Sequence, residues 1–109
     1  MSSGNSYPLR GRIYMADLGE EYGEKPYVIV SNNARNRALA TYLAVRITTS
    51  SKPPLPSIIE LAPEDPVVGR ALCDDIVILF AEDLRRDLGG MSLQTMMRIS
   101  QGLRHALAL

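Results

Sequence analysis

The order of the predicted secondary-structure elements is the strongest constraint on the fold of this 109-residue chain. Five short runs rich in β-branched and aromatic residues come first, and one segment with apolar residues at helical spacing follows them. Because strands and helices do not alternate, a parallel β-α-β sheet is not expected. We therefore predict a mainly β fold with a C-terminal helix (α+β), built as a small, strongly bent antiparallel barrel. The predicted strands are residues 12–17, 27–31, 40–49, 57–61 and 71–80.

The segments between these strands carry signals for turns and helices. Residues 32–37 are predicted to form a polar turn, and residues 50–56, which contain three prolines, a loop. Residues 81–88 are predicted to form one or two helical turns that end at Gly89 and Gly90. The terminal helix is predicted from Leu93 to about Ala108, with Ser92 as its N-cap. Its apolar stripe is predicted at Leu93, Met96, Met97, Ser100, Leu103 and Leu107.

Length and composition predict one domain, residues 10–109, preceded by a flexible tail of small and polar residues at 1–9. The single cysteine, Cys73, rules out an internal disulfide. No apolar run is long enough to span a bilayer, and the N-terminus lacks the basic and apolar regions of a signal peptide. We expect a cytoplasmic protein that does not associate with membranes.

Charge is strongly segregated along the chain. Twelve cations balance twelve carboxylates, yet residues 25–59, here called the acid-free segment, hold five cations and no carboxylate. Binding of a polyanion responds to the local field, so a one-signed segment can attract phosphate to a neutral protein. Charge alone fits a solvated face equally well. The five cations are Lys25, Arg35, Arg37, Arg46 and Lys52.

Local details favour phosphate binding over a solvated face. Pro26 suits the start of a strand and holds Lys25 in an extended conformation. In the third predicted strand, Arg46 and Thr48 point to the same side, roughly 7 Å apart. The sequence that begins at Ser31 adds several amide donors. Cations, a hydroxyl and amides are the groups that recognise a phosphodiester and its neighbouring bases.

Other chemistries lack the residues that they need. His105 lies far from Cys73, and no C-x-x-C, H-E-x-x-H or phosphate-binding glycine loop occurs. Asp74 and Asp75 are adjacent in a predicted strand and face opposite ways, so we assign them a structural role. We predict no metal site and no cofactor.

The acid-free segment and its flanks resemble the MazF/PemK family of type II toxins. The family pattern R-G-x-[IV]-[WY]-x-x-D-[LF] is matched, as are a cation before proline, an apolar strand ending in S-N, a strand ending in T-T, and a G-x-[LM]-[ST] helix start. No single motif is specific, but their order and spacing together are, and the resemblance covers residues 10–109. The matching residues are 10–18, 25–26, 28–32, 47–49 and 90–97.

The resemblance implies an SH3-like barrel and a sequence-specific, ribosome-independent endoribonuclease, an mRNA interferase, that cleaves single-stranded RNA without a metal through attack of the 2′-hydroxyl. It assigns catalysis to Lys25 and Thr48. Two departures from the family bear on this assignment: lysine replaces the usual arginine before proline, and Arg46 stands where proline is common. We hypothesise that Arg46 binds the phosphate while Lys25 is the general acid. Contacts to RNA are expected from Glu20, Ser31, Asn32, Arg35, Asn36, Arg37, Thr49 and Lys52.

The resemblance also implies a homodimer and a cognate MazE-like antitoxin whose acidic tail covers the RNA site. Two alternatives remain. A CcdB-like toxin shares the barrel and inhibits DNA gyrase by protein contact, in which case the surface of the C-terminal helix would be decisive. An inactive RNA-binding barrel is the other.

Overall fold

The fold is a six-stranded antiparallel sheet with a C-terminal helix packed on it. A computed structural model of the chain describes residues 7–19, 21 and 23–109. The strand order across the sheet is β4-β5-β3-β2-β1-β6, and every pairing is antiparallel. The elements are β1 (Arg12–Asp17), β2 (Glu24–Ile29), α1 (Asn33–Leu39), β3 (Thr41–Thr48), β4 (Ile58–Glu60), β5 (Arg70–Phe80), β6 (Leu84–Gly90) and α2 (Leu93–Leu107).

The predicted fold class, mainly antiparallel β with a C-terminal helix, is confirmed. All five predicted strands are present, with ends that shift by no more than three residues. The sheet has six strands, however, and it does not close into a barrel, because β4 and β6 are its two edges within the described residues.

The prediction of helical turns at residues 81–88 is right only for its first three residues. A 3₁₀ helix spans only Ala81–Asp83, and β6 follows it immediately. β6 exists because it pairs with β1, Ile13 lying opposite Gly89. Such pairing between distant segments is invisible to local propensity. The two glycines therefore belong to a strand and do not end a helix.

The prediction of a polar turn at residues 32–37 is also wrong, because α1 occupies most of this segment. The Asn32 side chain caps the helix by accepting a hydrogen bond from the Arg35 amide at 2.8 Å. The helix ends at Leu39, and Ala40, its C-cap, has a left-handed φ of 54°. The chain then turns directly into β3.

The terminal helix and its N-cap are confirmed, since Ser92 Oγ accepts a hydrogen bond from the Thr95 amide at 3.2 Å. Its predicted stripe is only partly right. The buried positions of α2 are Thr95, Met96, Ile99 and Gly102, whereas the predicted Leu93, Met97 and Leu107 are exposed. Position 102 has room only for glycine, because a Cβ there would lie 2.8 Å from Cys73 Sγ.

Two apolar clusters lie on opposite faces of the sheet. Val28 belongs to the first, which α2 covers through Met96 and Ile99. Tyr27 and Ile29, the neighbours of Val28, belong to the second, because successive strand residues face opposite ways. Tyr7 packs against the second cluster and Pro8 is buried, while residues 1–6 of the predicted tail lie outside the described residues. No helix in the described part of the chain is long and apolar enough to cross a membrane.

Candidate active site

Three residues of the acid-free segment meet in one cleft. Lys25, Arg46 and Thr48 line a cavity of about 200 Å³. The cleft lies where β2 begins and β3 ends, so side chains 21 to 23 positions apart in sequence come together. Its other lining residues are Pro26, Ile47, Thr49, Ser50 and Val68.

Strand register explains why these residues meet. β2 and β3 pair with Tyr27 opposite Arg46 and Val28 opposite Val45. Extending this antiparallel register by two residues places Lys25 opposite Thr48. The sheet therefore holds the cation that precedes Pro26 across from the hydroxyl that ends β3.

A bulge in the neighbouring strand lies beside Arg46. Val45 pairs with Ile76, but Arg46 pairs with Leu72, so residues 73–75 of β5 have no partner on β3. Asp74 and Asp75, which interrupt the apolar pattern of β5, lie in this unpaired stretch, and their structural role stays a prediction. The register shift falls at the position where β3 turns Arg46 toward the cleft.

One nitrogen of the Arg46 guanidinium, Nε, lacks a hydrogen-bond partner among the described residues. This nitrogen is buried, and it is the one side-chain nitrogen or oxygen with both properties in the described part of the chain. Neither Arg46 nor Lys25 belongs to any ion pair that the structure describes. A buried donor left unpaired costs roughly 1–3 kcal/mol, more when it is charged. The cleft thus holds two cations that no ion pair of the described residues neutralises.

Thr48 is oriented by the chain that follows it. Its side chain is buried, and Oγ1 accepts a hydrogen bond from the Ser50 amide at 3.1 Å. With one lone pair engaged, the hydroxyl hydrogen remains available to donate. The cleft therefore combines two cations and one oriented hydroxyl donor.

The structure does not bring Ser31 and Asn36 to the surface. Both side chains are buried, and Ser31 Oγ donates to Asn36 Oδ1. Asn36 Nδ2 donates in turn to the Ser31 carbonyl at 3.1 Å, while Ser31 Oγ accepts from the Leu43 amide at 3.0 Å. These two side chains tie α1 to the strands on either side of it.

The remaining predicted RNA contacts are dispersed. Arg35 is engaged by Thr41, donating from Nη1 to its carbonyl at 2.7 Å, and Arg37 is exposed on α1. Thr49 lines the active-site cleft, and Lys52 lines a neighbouring cavity of about 470 Å³. Asn32 is the cap of α1, and Glu20 lies outside the described residues.

Two residues that line the cleft were not predicted from the sequence. Ser50 fixes Thr48, and Val68 comes from the loop before β5 with 77% of its surface exposed. The T-x-S spacing of Thr48 and Ser50 was an available signal, because a threonine hydroxyl commonly bonds the amide two residues on. No signal marked Val68.

The cysteine and the histidine do not contribute to this cleft. Burial, with a smaller effect of Asp74, raises the pKa of the Cys73 thiol to about 11, so the thiol is neutral at physiological pH. His105 is exposed near the end of α2. No cluster of three or more histidine, cysteine, aspartate or glutamate side chains in the described ranges is arranged to hold a metal ion.

Comparison with known proteins agrees with the resemblance seen in the sequence. Residues 9–107 match the family described as PemK-like, MazF-like toxin of type II toxin-antitoxin system. The endoribonuclease MazF1 of Mycobacterium bovis is 44% identical over 102 residues, which cover 94% of each chain. The endoribonuclease MazF4 of Mycobacterium tuberculosis is similar to the same extent.

Solved structures give the same result. A mycobacterial endoribonuclease in complex with its cognate antitoxin superposes with a TM-score of 0.88 at 44% identity, covering 94% of this chain and 96% of that one. The MazF chain of a MazE-MazF complex from Deinococcus radiodurans, 20% identical, shares the fold with a TM-score of 0.79 and coverage of 96% and 99%. The chain therefore belongs to the PemK-like, MazF-like toxins of type II toxin-antitoxin systems, and the enzyme class predicted from its sequence is that of its mycobacterial relatives.

Proposed function

We propose that this chain is the toxin of a type II toxin-antitoxin system and cleaves single-stranded RNA, messenger RNA in particular, without a metal ion, using Lys25, Arg46 and Thr48. The observation that carries the proposal is the buried Arg46 Nε, which has no acceptor in the described protein. An anionic phosphodiester oxygen in the cleft would supply the missing acceptor. The identity to mycobacterial endoribonucleases supports the same activity.

The proposed reaction is a transesterification within the RNA. The ribose 2′-oxygen attacks the adjacent phosphorus, the bond to the 5′-oxygen breaks, and a 2′,3′-cyclic phosphate and a free 5′-hydroxyl result. The proton of the 2′-hydroxyl leaves to solvent, and the Lys25 ammonium gives a proton to the departing 5′-oxygen. Lysine suits this step better than arginine, since a guanidinium does not give up its proton.

Arg46 and Thr48 have complementary roles in this proposal. Arg46 binds a nonbridging oxygen of the phosphate, and the Thr48 hydroxyl donates to the same group. Negative charge grows on these oxygens in the transition state, and fixed donors stabilise it without having to reorganise. The rigid β2–β3 pairing keeps the two donors in place.

Binding partners follow from the charge of the same surface. RNA would continue beyond the cleft over Thr49, Lys52 and Arg37, each of which is exposed. We further propose that a MazE-like antitoxin covers this surface with an acidic segment, as a mycobacterial relative forms a complex with its cognate antitoxin. The proposal includes a homodimer that acts in the cytoplasm. The alternative of a gyrase inhibitor is not favoured, because the curated relatives are endoribonucleases.

Cleavage of a long transcript in EDTA tests the proposal. Purified protein and an in vitro transcribed RNA are incubated with the chelator, and the new ends are mapped by primer extension and by their acceptance of phosphate from a kinase. We expect cuts at a recurring short sequence, with 5′-hydroxyl ends that the kinase labels directly. Intact RNA in this assay would overturn the proposal, all the more so if the protein inhibited DNA gyrase.

A further inference from the structure

The segment that precedes β5 crosses directly over the backbone of Thr48. Gly69 has a φ of +129°, in the left-handed region that favours glycine. A Cβ built on Gly69 would lie 3.0 Å from the carbonyl carbon of Thr48 and closer still to its oxygen. Real Cβ atoms essentially never approach a heavy atom within 3.0 Å, so any side chain here would force one of the two segments to move.

Neighbouring contacts hold Gly69 in this position from both sides. The Gly69 carbonyl accepts a hydrogen bond from the Leu61 amide at 3.0 Å, and the next residue, Arg70, pairs with Thr48 at the end of the β3–β5 ladder. Val68, on the other side, forms part of the cleft wall. The crossing point thus belongs to the cleft, although Gly69 itself carries no functional group.

We propose that Gly69 is a positioning residue for the reaction, holding the Thr48 backbone so that its hydroxyl faces the scissile phosphate. This proposal rests on the assignment of Thr48 made above. The Ser50 amide fixes the Thr48 side chain at Oγ1, and Gly69 confines its main chain at the carbonyl. The two constraints act on opposite ends of one residue, so together they define where the hydroxyl lies.

Gly69→Ala tests the proposal by separating catalysis from RNA binding. We expect the single-turnover cleavage rate to fall about a hundredfold, the loss that a misplacement of about 1 Å produces. Affinity for the same RNA with a 2′-deoxyribose at the cut site, which cannot be cleaved, should change by less than about twofold. Equal losses in rate and affinity, or a rate close to wild type, would overturn the proposal.

Gly19→Ala is the matched control for backbone strain. Gly19 has the same φ of +129°, but nothing lies within 4 Å of a Cβ built there. Both variants place a side chain at the same left-handed φ, and only Gly69→Ala also meets the Thr48 backbone. A cleavage loss in Gly19→Ala as large as that in Gly69→Ala would attribute the effect to strain alone and contradict the proposal.

A double-mutant cycle asks whether Gly69 acts through Thr48. In the Thr48→Ala background, Gly69→Ala should lower the residual rate by less than about threefold, because the group that it positions is already gone. Multiplicative losses would show an independent role and refute the inference.

If Gly69→Ala does not unfold cooperatively, Val68→Gly is used in its place. This variant loosens the same segment without adding an atom, and the same non-additivity with Thr48→Ala is expected.

The outcomes distinguish this inference from the proposed function. If the wild-type protein does not cleave the transcript, the proposed function fails. If the wild-type protein cleaves and Thr48→Ala does not, while Gly69→Ala cleaves normally, only the positioning role of Gly69 fails.

Discussion

Two buried polar sites in this protein differ in how completely the fold satisfies them. Asp65 lies in the loop between β4 and β5. Its carboxylate accepts hydrogen bonds from the Ala62 amide at 2.7 Å, the Ser92 amide at 2.8 Å and the Thr95 hydroxyl at 2.6 Å. In the cleft, the buried Nε of Arg46 has no acceptor among the described residues. The Asp65 site is satisfied by three donors of the chain, and the Arg46 site has a donor without an acceptor.

This difference indicates that the Asp65 site contributes to stability, whereas the Arg46 site is available to bind an anion. A carboxylate with three donors fixes the start of α2 against the loop before β5, and most of its acceptor capacity is used within the chain. The buried Nε of Arg46, which has no acceptor among the described residues, is a cost to folding that is recovered only when an anion binds. Polar satisfaction therefore separates the two roles where burial alone does not, since the Asp65 side chain and the Arg46 Nε atom are both buried.

The largest expected effect comes from removing a cation of the cleft. Lys25→Ala should lower the single-turnover cleavage rate by at least about a hundredfold, because the proposed proton donor to the 5′-oxygen is lost. The urea midpoint should hardly change, since Lys25 makes no ion pair within the described protein. Arg86→Ala, which removes an exposed cation outside the cleft, is the control and should cleave normally. Unimpaired cleavage by Lys25→Ala would remove Lys25 from the mechanism.

Changing the satisfied site should have the opposite result. Asp65→Asn keeps the size of the side chain but replaces an acceptor oxygen with an amide group that faces donors. We expect the free energy of unfolding to fall by about 2 kcal/mol. The cleavage rate, measured well below the melting temperature, should stay near that of wild type. If stability is unchanged and cleavage is lost, the comparison between the two sites is wrong.

The smallest expected effect is a dependence on pH. Burial alone would raise the pKa of Asp65, but the hydrogen bonds from Thr95, Ser92 and Ala62 outweigh it and lower the pKa below its ordinary value of 3.8. The carboxylate therefore contributes stability that is fully present above about pH 4 and lost as the pH falls through the folded-state pKa. Urea unfolding at pH values from about 6 to 3 should show the difference between wild type and Asp65→Asn shrinking at the acid end. A constant difference would contradict the lowered pKa.

The sequence was informative where the controlling interactions are local. Strands β1 and β3 follow from β-branched and aromatic residues, and Ser92 marks the start of α2 by its own hydrogen bond. Strand alternation, a local rule, placed Arg46 and Thr48 on one side of a strand. The family resemblance added Lys25, which the β2–β3 register brings to the same cleft. Their catalytic roles stay a prediction.

What the sequence did not reveal depends on contacts between distant segments. β6 forms because it pairs with β1. Position 102 is restricted to glycine because Cys73 fills the space that a side chain would need. Thr95 is buried through its bond to Asp65, so a stripe counted in apolar residues misses it. The short helix α1 is the exception, since Asn32 followed by alanines and arginines was a local signal that a polar turn did not account for.

Arg46→Met tests directly whether Arg46 binds the phosphate of the RNA. Methionine approximates the length of the arginine side chain and carries no charge. Single-turnover cleavage of a labelled RNA that spans the strongest cut is measured for the variant and for wild type, alongside urea unfolding. We predict a cleavage rate at least about a hundredfold lower, with a stability that is unchanged or higher. A variant that folds normally and cleaves within about threefold of the wild-type rate would contradict the assignment of Arg46 to the phosphate.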